Sequence, residues 1–249
     1  MVGDTTRAEI VPKLEKLFGA WTAGEVPKKN IATVNVPARQ AVYILDQPGS
    51  VQSVVFAGHV VPPKGAAETL ALETLDTLLG GTFTSRINMN LREDKHWSYG
   101  ASSDLTDARG QRPFLVTAPV QADKTKEAMQ EVAKELRAIT SSRPATADEV
   151  DRAKKSLTLT LPGRWETAGA VAGSLAEMVN FGYPDDHFAT YAGRINGLTE
   201  DQVQKAAASI RPDGLVWLVV GDRAKIEAGI RELNLGPVRV IDAEGVLIP

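Results

Sequence analysis

The sequence predicts an α+β domain with a mostly antiparallel sheet backed by helices on one side. Three features carry this expectation. Strand-like runs in the first half are joined by turns as well as by helices, so the chain is not a regular βαβ array. The second half repeats apolar residues at intervals of three and four, the period of amphipathic helices. Gly214 to Val220 (GLVWLVV) is a near-continuous apolar run, as in a strand buried on both faces.

The elements follow in order. Thr5 to Trp21 places Ile10, Leu14, Leu17, Phe18 and Trp21 on one helical face, with Pro12 an awkward interior residue. Thr22 to Asn30, with Gly24, Pro27 and Lys28-Lys29, has a linker composition, so residues 1–30 read as a helix and linker ahead of a domain at 31–249. Gln40 to Leu45 and Val51 to Ala57 are expected to pair as a hairpin around Pro48-Gly49. Lys64 to Leu79 is a leucine-rich helix, with Gly80-Gly81 as its expected stop. A short helix is predicted from about Thr84 to Glu93, then strands at Ser98 to Leu105 and Pro113 to Val120. Helices follow at Lys124 to Ile139, Thr146 to Leu161, Glu166 to Phe181, Asp186 to Ile195 and Thr199 to Ile210, two of them opened by capping-box patterns. After the apolar strand come a helix at Asp222 to Leu233 and a last strand at Val238 to Ile241.

The composition narrows the function. In 249 residues, 43% are hydrophobic and 24% charged, and the net charge is −3, so a folded core is expected and disorder is not. Both signs are interspersed, with no basic stripe to follow a nucleic-acid backbone. No apolar run approaches a membrane span, and Met1-Val2-Gly3-Asp4 does not begin a signal peptide. Periplasm and cytoplasm both stay open. The absence of cysteine removes thiol nucleophiles and thiolate metal sites.

Metal chemistry has little to work with. The three histidines, His59, His96 and His187, are far apart, and neither H-x-x-E-H nor H-E-x-x-H occurs. No G-x-S-x-G elbow and no phosphate loop is present. The informative stretch is Leu78 to Gly100, LLGGTFTSRINMNLREDKHWSYG. Arg92 falls near the end of the short helix and Tyr99 seven residues on, at the start of the next strand. A guanidinium and a phenol so placed could hold a peptide carbonyl and stabilise charge developing on it. Alternatively, Arg92 pairs with Asp94 or another acid, and Tyr99 packs in the sheet.

This stretch resembles the C-terminal domains of insulinase/pitrilysin-type zinc peptidases and their mitochondrial processing peptidase relatives. The resemblance rests on Leu78-Leu79-Gly80-Gly81, Ser85-Arg86, Leu91-Arg92-Glu93 and Ser98-Tyr99-Gly100. Pro48 to Ser53, the acid-led helix with Glu149 before Ala153-Lys154, Leu198 to Val203, and Val219 to Asp222 agree in order and spacing. The similarity covers residues 30–249. It implies a non-catalytic half that closes on a zinc-bearing half, in the same parent chain or on a separate subunit. Residues 5–21 then look like the last helix of a preceding domain. The resemblance assigns Arg92 and Tyr99 to peptide binding and oxyanion stabilisation, and zinc to the partner. The ligand-bearing helix of the catalytic half corresponds to Lys64 to Leu79, which offers Glu68, Glu73 and Asp76 but no histidine. This chain is therefore expected to hold no cofactor and to be inactive alone. The alternative is a degenerate scaffold module of the same fold with no part in proteolysis.

Overall fold

The computed structural model describes residues 1–35 and 39–248. Helix α1 (Arg7–Phe18) is opened by a capping box between Thr6 and Glu9 and buries none of its residues. Strands β1 (Ala41–Asp46) and β2 (Gln52–Val61) follow. Helix α2 (Thr69–Asp76) continues into a π-helical turn at Thr77–Gly81. Helix α3 (Arg86–Asn88) likewise widens into a π turn, Met89–Asp94. Next come β3 (Ser102–Leu105) and β4 (Arg112–Gln121). The helical half comprises α4 (Thr125–Ile139), α5 (Ala147–Leu159), α6 (Leu161–Arg164), α7 (Ala168–Phe181), α8 (His187–Asn196) and α9 (Glu200–Ala206). Strand β5 (Val216–Gly221), helix α10 (Arg223–Glu232) and strands β6 (Val238–Ile241) and β7 (Leu247–Ile248) complete the chain.

One seven-stranded sheet runs in the order β3-β4-β2-β5-β1-β6-β7. Pairings β2–β4, β2–β5, β3–β4 and β6–β7 are antiparallel, whereas β1–β5 and β1–β6 are parallel. The hairpin expected between β1 and β2 does not form. The apolar strand β5 lies between them, with Ile44 opposite Val219 on one side and Val55 opposite the same residue on the other. Two flanking strands satisfy the backbone of β5 on both edges, but burial on both faces, as its apolar run suggests, is not met: Trp217 and Val219 are buried, whereas Val216 is exposed and Leu218 and Val220 are half-buried on the opposite face.

Alternation along the strands makes one face the core. Val42, Ile44, Val55, Ala57, Phe114, Val116, Ala118, Trp217 and Val219 point inward and are buried. Helices α2, α4, α9 and α10 cover that face through Leu75, Leu136, Val203 and Ile226 among others. The indole N–H of Trp217 donates to Gln40 Oε1 at 2.7 Å, so the largest core side chain leaves no orphan donor. The opposite face carries Phe56, Val60, Leu115 and Leu218, half-buried around a 550 Å³ concavity bounded by Val34.

Strand β4 contains two prolines, yet it lies inside the sheet. Pro113 and Pro119 both fall beyond the four residues that β3 covers, so no β3 carbonyl awaits the missing N–H groups. Their carbonyls are met from that side by the Thr106 N–H at 3.1 Å and the Ser98 hydroxyl at 2.5 Å.

Gly80-Gly81 is not a simple stop, because the helix continues through both as the π turn. Thr77 Oγ1 bonds the Glu73 carbonyl at 2.8 Å, a back-bond of the kind that bends helices. Gly80 is needed where this turn meets β3: a Cβ there would lie 2.1 Å from the Ser103 backbone nitrogen. Beside it, Ser103 Oγ donates to Asp76 Oδ1 at 2.5 Å. Burial pushes the Asp76 carboxyl up to about 7, against the lowering effect of the Ser103 hydroxyl.

Gly80→Ala should lower the urea unfolding free energy by about 1–3 kcal/mol, the range for overpacking a filled site. Asp76 should make stability fall as pH rises. The unfolded carboxyl ionises near 3.8 and the folded one near 7, so its contribution is whole below the first value and lost on the way to the second. Asp76→Asn should therefore flatten the pH dependence between 4 and 7 and leave the variant the more stable at pH 8, as read by urea unfolding at each pH.

Candidate functional site

Helix α3 leaves a buried root and carries Arg92 at its far end. Arg86, in its first turn, is 6% exposed. Its Nε and Nη2 meet both Glu149 oxygens at 2.7 Å, and Nη1 and Nη2 donate to the carbonyls of Arg143 and Pro144 at 2.6 and 2.8 Å. Burial raises the Glu149 carboxyl, but hydrogen bonds from Arg86 and Thr146 outweigh it and hold the group at about 2. One turn on, Asn90 Nδ2 bridges Glu131 and Glu135 of α4 at 2.8 and 2.9 Å. α3 is thus tied to α5 and α4 by polar contacts that fix its rotation as well as its position.

The helix ends at His96, whose φ of 58° is the left-handed conformation usual at helix C-termini. His96 Nδ1 lies 3.1 Å from the Arg92 carbonyl. The next residues form an irregular loop, since β3 begins at Ser102 and not at Ser98 as the sequence suggests. Tyr99 therefore sits on a loop ahead of the strand. Backbone bonds hold that loop: Trp97 N–H to Leu91 O at 3.0 Å and Gln121 N–H to Trp97 O at 3.1 Å. The Ser98 hydroxyl donates to Pro119 O and accepts from the Gly100 N–H at 3.1 Å, so the residues on both sides of Tyr99 are tied to β4 or to each other.

Both expected site residues reach the same cavity. It measures 340 Å³ and is lined by Arg92, Tyr99, His96, Trp97, Gln52 and Gln121, with Glu93 and Ser98. Tyr99 is 88% exposed, so it is not packed in the sheet. Arg92 Nε approaches Glu93 Oε1 at 3.2 Å, with both side chains about two-fifths exposed. The pairing with an acid is real, though with Glu93 in place of Asp94, and an exposed pair of this kind is worth little. The guanidinium also lies 4.6 Å from the centroid of the Phe83 ring. The cavity wall thus offers a permanent cation, a phenol, an imidazole and two carboxamides, a set suited to hydrogen-bonding a polar chain.

The helix corresponding to a ligand-bearing helix does not fit a zinc ion. Glu73 of α2 is paired with Arg112 at 3.2 Å, and that fully buried guanidinium also draws on Asp76. A fixed cation at this helix face opposes a divalent ion. Two of the histidines are engaged elsewhere, and the third, His96, lines the cavity of Arg92 and Tyr99. His59 is buried, with Nδ1 3.0 Å from the Val60 carbonyl and Nε2 accepting from the Arg211 N–H at 3.0 Å. His187 stacks on Tyr183 at 3.9 Å and faces Arg194. Among the described residues, no three His, Asp or Glu side chains converge on a point.

Three contacts escaped the reading of the sequence: Phe83 beneath Arg92, Arg86 on Glu149, and Asn88 between α3 and the Tyr99 loop. Glu149 was visible only as a capping-box acid, a role it also fills. Nothing local signals a partner 63 residues away.

Residues 1–157 match the family described as Peptidase M16 inactive domain. Among curated proteins, none matches. Among solved structures, the peptidase M16 inactive domain from Pseudomonas fluorescens superposes with a TM-score of 0.77 at 20% identity, covering 88% of this chain and 52% of that one. A protease from Helicobacter pylori gives 0.77 at 18% identity, covering 88% and 54%. The inactive peptidase domain of a protein named as a candidate zinc protease from Bordetella parapertussis gives 0.59 at 22% identity, covering 70% and 93%. The chain spans about half the length of the first two. These likenesses show the fold, and the family match covers well over half of the sequence, so the chain belongs to the inactive domains of M16 peptidases.

Proposed function

We propose that this domain grips the peptide substrate of a zinc-dependent endopeptidase whose metal is held by a partner half. The observation that carries the proposal is the convergence of Arg92 and Tyr99 on one open cavity, Arg92 resting on Phe83 and paired only with the exposed Glu93, Tyr99 88% exposed on a tied loop. Arg92 presents several N–H donors and a permanent charge, and Tyr99 an O–H donor on a rigid ring. Together they would orient a peptide carbonyl and stabilise the oxygen that gains charge during hydrolysis. Water activation would belong to the partner, since Glu73 and Asp76 of α2 are taken up by Arg112 and the Ser103 hydroxyl.

The same reading assigns residues 1–30 to a preceding domain. No residue of α1 is fully buried, and Leu17, Phe18 and, just past the helix, Trp21 are exposed, an apolar face in need of cover. The partner half is then the natural neighbour of α1, whether on the same parent chain or a separate subunit.

In the assembled protease, Arg92→Ala or Tyr99→Phe should lower kcat/KM at least about tenfold, or roughly 1.4 kcal/mol of transition-state stabilisation. The unfolding midpoint should move little, because Tyr99 is 88% exposed and Arg92 makes only an exposed pair with Glu93 and a contact with the exposed Phe83 ring. Unchanged activity in both variants would favour a scaffold role.

A further inference from the structure

We infer that Asn88, with Phe83, is the positioning element that sets the spacing of Arg92 and Tyr99. This inference rests on the substrate-gripping reading above. Asn88 is 4% exposed and never reaches the cavity of Arg92 and Tyr99. Both ends of its carboxamide are spent within the domain. Nδ2 donates to the Phe83 carbonyl at 2.6 Å, and Oδ1 accepts from the Ala101 N–H at 3.0 Å.

Those two partners are not arbitrary. Phe83 carries the ring on which the Arg92 guanidinium rests, at 4.6 Å. Ala101 is the second residue after Tyr99 and closes the loop that holds the phenol. Asn88 itself lies one helical turn before Arg92. One side chain therefore links the platform under the cation, the helix that bears it, and the loop that bears the phenol. The Ser98 hydroxyl fixes the other end of that loop to Pro119. Tyr99 is thus held between a tie to β4 and a tie to α3, and the second also reaches Phe83, the platform under Arg92.

The chemistry of the amide explains why no near-isostere serves. An aspartate would keep the bond from Ala101 but would set an acceptor against the Phe83 carbonyl oxygen. A leucine would lose both bonds and leave a buried N–H unpaired. Phe83 is 56% exposed, so its ring contributes little to the core and is available as a platform.

The experiment is a mutant cycle on the assembled protease, read as kcat/KM on one peptide substrate, with circular dichroism and unfolding midpoints as controls. Asn88→Asp should cost about fivefold to tenfold, and Phe83→Leu about threefold, in the otherwise native protein. Neither should cost anything further once Arg92→Ala and Tyr99→Phe are present, because a residue that acts through those two has nothing left to position. Phe83→Leu, at an exposed position, keeps the test open if Asn88→Asp folds poorly. Equal losses in both backgrounds would mean a purely structural role and overturn the inference. So would full activity in Asn88→Asp and Phe83→Leu while the Arg92→Ala, Tyr99→Phe protein is impaired. An unimpaired Arg92→Ala, Tyr99→Phe protein would instead overturn the substrate-gripping reading, and this inference with it.

Discussion

A guanidinium buried at the root of α3 anchors the part of the molecule that faces the cavity. Arg86 uses three nitrogens on four oxygens, two from Glu149 and two from backbone carbonyls of the turn before α5. The geometry is bidentate, and the two carbonyls take two further donors, the kind of hydrogen bonding under which a buried ion pair is tolerated. Removing one partner would strand a buried charge, at a cost of about 3–5 kcal/mol. The same carboxylate caps α5, so the start of one helix and the root of another share a single group.

From that anchor the cavity wall is built outward. α3 departs from α-helical winding after Asn88 and ends at a left-handed histidine. This brings Arg92 to the rim and turns the chain back toward β4. The loop that follows has no strand pairing of its own. It is held by a serine hydroxyl, a buried carboxamide and two backbone bonds. An exposed phenol on so well-tied a loop has its backbone position fixed before any ligand binds, which spares the loop-ordering part of the cost of binding.

The α2 region resolves a tension within the fold. A helix packed beneath the sheet beside a cavity-bearing element is a fitting place for metal ligands, and here it holds carboxylates. Arg112 and the Ser103 hydroxyl take up Glu73 and Asp76, and burial pushes the Asp76 carboxyl up to about 7, so that it is about half protonated at neutral pH. The region is therefore a structural polar core, and Gly80 lets the π turn close directly on β3.

Most elements were legible in the residues themselves. Periodicity located α4, α5, α7, α8 and α10, capping boxes marked the starts of α5 and α9, and the apolar run of β5 announced a strand, though only one of its faces is buried. Arg92 and Tyr99 stood out by type, spacing and family resemblance. Pairing order was not legible: β1 and β2 are adjacent in sequence and turn-linked, yet β5, some 155 residues later, separates them. Strand partnership depends on which surfaces the whole chain buries, which no local window contains. For the same reason the supports of the cavity, Arg86 on Glu149 and Asn88 on Ala101, were decided only in the tertiary structure, where polar groups distant in sequence must satisfy one another once water is excluded.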